Sequence, residues 1–194
     1  MSSELSLLKP AARFLGVAES GLLGAVDTIL GGVVMRADLI LDGLVWRKAT
    51  LRGLDASEAV IEMIQQLDRQ DLNGIMLHGS VIAGYNVIDM IQLYSATKLP
   101  VISVTKAPQE NLKEHLISTF PSDWEIRWEI VLRNGVMKPI KLDTESTVFV
   151  QFIGCSWETV KGVINRLTRF GGIPEPLRVA RLLARALMKS QSSK

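Results

Sequence analysis

Three extended segments follow one another before the chain offers its first helix, and that order restricts the fold more than any other feature. Phe14-Leu15-Gly16-Val17 reads as a short buried strand. Thr28 to Met35 and Leu39 to Thr50 are rich in Val, Ile, Leu and Trp, and Arg36-Ala37-Asp38 between them suits a hairpin turn. Three consecutive strands without a crossover imply an antiparallel meander. The pattern then changes. Asp55 with Glu58 three residues on resembles a capping box, and Val60, Met63, Ile64 and Leu67 fall on one helical face. Gly74 to Leu77 is a short apolar strand, and a helix is expected over 86–96 with Val87, Met90, Ile91 and Tyr94 aligned. Pro100 to Val104 is a further strand, and Pro108 suits the first turn of a helix reaching Phe120.

Strands separated by helices pair in parallel through crossover connections. Residues 126–153 read as extended again, with Ile126 to Leu132 and Thr147 to Ile153 placed around an Asn134-Gly135 turn. Ser156 caps a helix carrying Val160, Val163, Ile164 and Leu167. After Gly171-Gly172 and Pro174-Glu175-Pro176, a last helix runs to about Met188. No internal repeat or low-complexity linker breaks the order. The expected architecture is α/β of the ribonuclease H-like kind: a mixed sheet, a three-strand antiparallel meander followed by parallel strands, flanked by helices. Residues 1–12 are expected as a flexible tail and 13–190 as one domain, consistent with 194 residues.

Charge is unevenly distributed. The whole chain carries +2, yet residues 161–194 hold eight Lys and Arg side chains against one acid, Glu175. That segment is therefore +7 and residues 1–160 are −5. A segregated basic segment suits an acidic or nucleic-acid partner, and equally a solvated helix end. The single Cys155 can form no intramolecular disulfide, no Cys/His cluster offers a zinc site, and the first residues lack the layout of a signal peptide. A cytoplasmic protein with no membrane span is the expectation.

Three places bring polar groups to the ends of apolar strands, where open α/β sheets build their sites. Glu19 lies just beyond the first strand. His78 ends the Gly74-Leu77 strand and precedes Gly79. Glu175 sits between two prolines, three residues before Arg178. Each has a plain alternative: a solvated loop acid, a hydrogen-bonded loop histidine, a helix-start carboxylate favoured by the dipole. Beyond Glu175, Arg178, Arg181, Arg185 and Lys189 form one helical stripe, competent to track phosphates. No phosphate-binding glycine loop, nucleophile elbow or dinucleotide fingerprint is present, and Gly31-Gly32 lies inside a strand.

These segments resemble a known group. Phe14-Leu-Gly-Val17, Leu41-Asp-Gly43, Asp55-Ala-Ser57, Ile75-Met-Leu77, Gly84-Tyr-Asn-Val87, Leu99-Pro-Val-Ile102 and above all Gly172-Ile-Pro-Glu-Pro-Leu-Arg-Val-Ala180 are similar to an archaeal endonuclease V-like family of unknown function. The resemblance implies a metal-dependent nuclease ancestor in which strand-end carboxylates hold Mg²⁺. It also implies three departures. Ala18 stands where the related enzymes carry Asp after Gly-Val, His78 where they carry Asp before Gly, and Arg181 where a His frequently follows Arg-x-Ala. Asp55 is the nearest remaining acid after the third strand.

The leading expectation is thus an endonuclease V-related protein with a degraded metal site, binding DNA or RNA through Arg178, Arg181, Arg185 and Lys189, with Glu19, His78 and Glu175 marking the old cleft. No cofactor is expected on that reading. The alternative is an active divalent-metal-dependent endonuclease with Glu19 and Asp55 on Mg²⁺ and His78 as ligand or general acid/base. A third possibility is a protein-interaction module, to which Trp46, Trp124, Trp128 and Trp157 would contribute.

Overall fold

The structure is a computed structural model and describes residues 6–21 and 26–192. The opening meander is β1 (Arg13–Glu19), β2 (Asp27–Arg36) and β3 (Leu41–Thr50). There follow α1 (Ala56–Leu67), β4 (Leu72–Leu77), a small hairpin of β5 (Val81–Ile82) and β6 (Asn86–Val87), α2 (Met90–Thr97) and β7 (Val101–Thr105). The chain ends with α3 (Leu112–Thr119), α4 (Trp124–Arg133), β8 (Lys138–Lys141), β9 (Thr147–Ile153), α5 (Trp157–Leu167) and α6 (Glu175–Ser192). The main sheet has the order β3-β2-β1-β4-β7-β9-β8. The meander is antiparallel, β4 joins β1 in parallel and β7 joins β4 in parallel, as expected. β9 and β8 extend the sheet antiparallel.

Alternation along β1 divides the core. Leu15 and Val17 face the layer under α1, with Ile75 and Leu77 beside them. Phe14 joins the core under α5, and Ala18 meets Ala180 of α6. Leu7 and Ala12 are also buried in the α5 core, so packed structure reaches back before Arg13; residues 1–5 of the expected tail lie outside the described residues.

The segment expected as a strand over 126–132 is a helix. Its inward face is Trp124, Arg127, Trp128 and Val131, at helical spacing, while Ile126 and Leu132 are more than half exposed. The buried member of the face is an arginine. A polar residue at the centre of the inward stripe broke the 3.6-residue apolar pattern and left a false alternation. Arg127 is stabilised there because each of its five N–H groups has an acceptor. Nε and Nη2 donate to Asp123 Oδ2 at 3.1 and 2.8 Å, Nη1 to the carbonyls of Gly53 and Tyr85 at 2.8 and 2.7 Å, and Nη2 to that of Arg52 at 2.8 Å.

Other boundaries moved for local reasons. Residues 86 and 87 belong to the hairpin, and α2 starts after Asp89, whose carboxylate accepts from the amides of Ile91 and Gln92. Pro108 lies ahead of α3, which begins at Leu112. The Ser156 cap is present, its hydroxyl accepting from Thr159 N.

Small residues let α6 press against the sheet. A Cβ at Gly16 would come within 2.6 Å of Pro176 Cβ, and one at Gly31 would run into the Ala180 carbonyl and lie 2.9 Å from Ala184 N. Gly31 is therefore the seat of α6, while Gly32 faces Met63, Val45 and Leu15 on the other side. Gly31→Ala should lift α6 off β2 and cost about 1–3 kcal/mol, a fall in Tm of about 2–4 °C per kcal/mol for a domain of this size. Thermal unfolding followed by circular dichroism checks it.

Candidate functional site

The parallel strands β1, β4 and β7 end side by side, and α6 crosses over the first of them. His78 N donates to Val17 O at 2.9 Å, which sets His78 beside Ala18 at the end of the sheet. Ala18 is only 3% exposed and packs against Ala180, so a methyl group under α6 occupies this strand-end position. Arg181, the next residue of α6, is half-buried and its charge acts on His78, together with those of Arg185 and of Lys106 just past β7. Burial first, and these three cations second, push the imidazole below its ordinary value of 6.5.

Glu19 lies on the other side. As a strand residue two beyond Val17 it turns toward the α1 layer, where its Oε2 accepts from Ala83 N at 2.7 Å in the β5–β6 hairpin. Burial raises its pKa above 4.5, against the pull of the Ala83 amide and of Arg181. A carboxyl with a higher pKa folded than unfolded stabilises the fold when protonated, and that contribution fades as pH rises through the folded value. Glu19→Gln can still accept from Ala83 and carries no buried charge. It should raise stability at pH 7, with the gain closing as pH falls below about 4.5; urea melts at pH 4 and 7 would reveal it.

Asp55 is not part of this cleft. It stands at the start of α1, but its carboxylate makes no capping bond there. It accepts instead from Thr50 N, Thr50 Oγ1 and Asn86 Nδ2, the last two at 2.7 Å each. Burial pulls its pKa up, and these donors outweigh that and hold it below the ordinary carboxylate range. Asn86 replaces the missing cap, its Oδ1 accepting from Ala56 N at 3.2 Å. Asp55 thus ties the end of β3 to the hairpin.

The other expected site residues divide along α6. Arg178 is exposed and closed onto Glu175, Nη2 to Oε2 at 2.6 Å, so both belong to the start of the helix and to one salt bridge. Arg181 and Arg185 lie over the strand ends, and Lys189 follows one turn later on the same face. Among the described residues neither Arg181, Arg185 nor Lys106 is in an ion pair with a carboxylate. Lys106 was missed in the sequence, although its position directly after an apolar strand next to that of His78 was a usable signal. Of the tryptophans, Trp46 is 39% exposed on the outer strand, and the other three are half-buried.

A cavity of about 510 Å³ opens beside the His78 loop. Gly79, Ser80 and Val81 form one wall, Thr105 the end of β7, and Trp128, Met137 and Gln151 the far side. Gln151 is fixed there, accepting from Ser80 Oγ at 2.8 Å and donating to Gly135 O at 2.6 Å.

Divalent-metal chemistry is what the resemblance implies for the strand-end cleft, and the donor set does not fit it. Mg²⁺ prefers several hard oxygen donors, and among the described residues no three His, Cys, Asp or Glu are grouped to hold a metal ion. Glu19, His78 and Asp55 do not converge.

A meander followed by parallel strands, with a strand-end cleft under the last helix, defines a protein of the ribonuclease H-like, endonuclease V type. The likeness to solved structures agrees. A protein of unknown function from Archaeoglobus fulgidus superposes with a TM-score of 0.78 at 24% identity, covering 91% of this chain and 98% of that one. Human endonuclease V gives 0.63 at 17% identity, covering 96% and 90%. Endonuclease V of Ciona intestinalis, in complex with a 24mer DNA containing an inosine followed by a ribo-adenosine, gives 0.60 at 17%, covering 97% and 95%. In sequence, a UPF0215 protein of Methanosarcina barkeri is 36% identical over 187 residues, 95% of each chain. The profile of the endonuclease dU family matches residues 10–188, and the chain belongs to that family. Among the described residues no helix is long and apolar enough to cross a membrane.

Proposed function

We propose that this chain is a nucleic-acid-binding or accessory protein on an endonuclease V-type scaffold, holding a polynucleotide without metal-supported cleavage. The observation that carries the reading is the set of cations Arg181, Arg185 and Lys106 that act on His78, at the strand end where Ala18 packs against Ala180 of α6, with no carboxylate ion pair to any of the three among the described residues. Basic side chains gathered on one surface supply the sequence-independent part of nucleic-acid affinity. The cavity walled by Gly79–Val81 and Trp128 adjoins this row and has room for an unstacked base of the bound strand. DNA is the first ligand to try, since the family's description names an endonuclease and dU, and the Ciona relative is described with an inosine-containing DNA.

Fluorescence anisotropy with labelled single- and double-stranded oligonucleotides containing dU or inosine tests the proposal. Affinity should fall steeply as salt rises from 50 to 200 mM. Salt-insensitive binding, or none, overturns it. The family description also favours a second reading, in which the chain itself cuts DNA with an altered ligand set. Cleavage by the wild type in Mg²⁺ or Mn²⁺, lost in Glu19→Gln, would establish that reading. Cleavage only in an Ala18→Asp/His78→Asp variant would instead fit an intact scaffold with a vestigial site.

A further inference from the structure

We infer that the strand-end cleft is charge-inverted: Arg181, Arg185 and Lys106, with His78 beneath them, take a phosphate group directly, at the place where a divalent-cation site would need acids. The inference rests on the nucleic-acid reading only for what delivers the phosphate.

Three observations carry it. The two strand-end positions nearest the cleft hold a methyl group and an imidazole, Ala18 buried against Ala180 and His78 beside it. Neither can neutralise a dication, and a single imidazole is a poor ligand for Mg²⁺. The groups around His78 are cations from two elements, Arg181 and Arg185 from α6 and Lys106 from the end of β7. Among the described residues none of the three is ion-paired with a carboxylate: Glu175 is closed onto Arg178, Asp55 onto Thr50 and Asn86, and Glu19, bonded to the Ala83 amide, acts on Arg181 through space without an ion pair. Three cations near one partly buried carboxylate leave a net positive cluster, which favours an anion and disfavours Mg²⁺. Guanidinium groups in particular match phosphate oxygens two at a time.

The geometry also fixes the place. Gly16 and Gly31 admit the α6 backbone so closely that Arg181 cannot swing away with its helix. A phosphate bound there lies over the ends of β1 and β4, next to the mouth of the cavity at Gly79. The same cation set that attracts it disfavours a protonated His78, so the imidazole can contribute a hydrogen bond without adding a fourth positive charge.

The test uses the full-length protein with isotope-labelled histidine and arginine side chains observed by NMR, with inorganic phosphate and Mn²⁺ as separate probes. Phosphate should shift the His78 ring and the Arg181 and Arg185 Nε signals, to the same extent in EDTA. Mn²⁺ should leave His78 unbroadened. Arg181→Gln, a half-exposed position whose loss leaves the core intact, should weaken the phosphate response at least about tenfold, equivalent to 1.4 kcal/mol. An Ala18→Asp/His78→Asp/Arg181→His variant should reverse both behaviours, broadening on Mn²⁺ and losing the phosphate response. Broadening of wild-type His78 by sub-millimolar Mn²⁺, or phosphate shifts absent from all three residues, overturns the inference. DNA binding without a local phosphate response would sink this inference alone. A phosphate response without DNA binding would sink only the nucleic-acid reading.

Discussion

Arg127→Met should be the most damaging single substitution in the described part of the chain, lowering stability by about 3–5 kcal/mol. The side chain is 4% exposed and satisfies five donors on four acceptors drawn from three separate segments. Methionine fills much of the volume but leaves the Asp123 carboxylate without its partner and the carbonyls of Arg52, Gly53 and Tyr85 unpaired, and each buried unpaired acceptor costs about 1–3 kcal/mol. The guanidinium also lies 3.8 Å above the Phe120 ring, whose edge contacts Tyr85. Loss of Arg127 therefore loosens α4, the turn after β3 and the hairpin together. Because Arg52 N donates to Ala83 O and Ala83 N donates to Glu19, the disturbance should reach Glu19 at the end of β1. Urea unfolding gives the global cost, and faster hydrogen exchange at the Ala83 amide would show the local path. A Tm within a degree or two of wild type would refute the assigned role. Arg127→Lys should rescue little, since three rotating donors cannot serve four fixed acceptors.

Reversing Arg181 and Arg185 together to Glu should abolish most nucleic-acid affinity while leaving the fold intact. Both side chains reach solvent, and neither holds an ion pair within the described residues. Each phosphate contact of this charge-assisted kind contributes about 1.5–3 kcal/mol. Two lost contacts, at one factor of ten per 1.4 kcal/mol, give a drop on the order of 100-fold or more. The slope of log affinity against log salt should shrink by roughly one for each cation removed. Arg166→Glu/Arg169→Glu changes the net charge equally but sits before the Pro-Glu-Pro turn, so it should weaken binding far less. Equal losses in the two variants would mean that overall charge, and not the α6 row, governs affinity.

The comparison between sequence and structure is sharpest at α4 and at the cleft. Helical periodicity placed α1, α5 and α6, and short apolar runs placed the meander, β4 and β7, because both patterns are legible in one dimension. Periodicity failed where a buried polar residue interrupts the apolar stripe. Arg127 made α4 look like a strand, and its carbonyl acceptors lie 42 to 75 residues away in sequence. The missing cap of α1 shows the same limit from the other side: Asp55 has the right spacing, yet its carboxylate turns to Thr50 and Asn86, and a residue 30 positions later takes the amide of Ala56.

By itself the sequence determined the order of strands and helices outside α4 and the segregation of +7 into the last 34 residues, and its resemblance to endonuclease V pointed to Ala18 and His78 in place of acids and Arg181 in place of a histidine. Composition and periodicity are local properties, so they can be read along the chain. Only the tertiary structure decided which charges meet. It set Glu19 on the far face of the sheet, closed Glu175 onto Arg178, took Asp55 out of the cleft, and brought Lys106, just past β7, to act on His78 together with Arg181 and Arg185. Strand alternation and the close seat of α6 on Gly16 and Gly31 are the cause, since they fix the side of the sheet on which each side chain emerges.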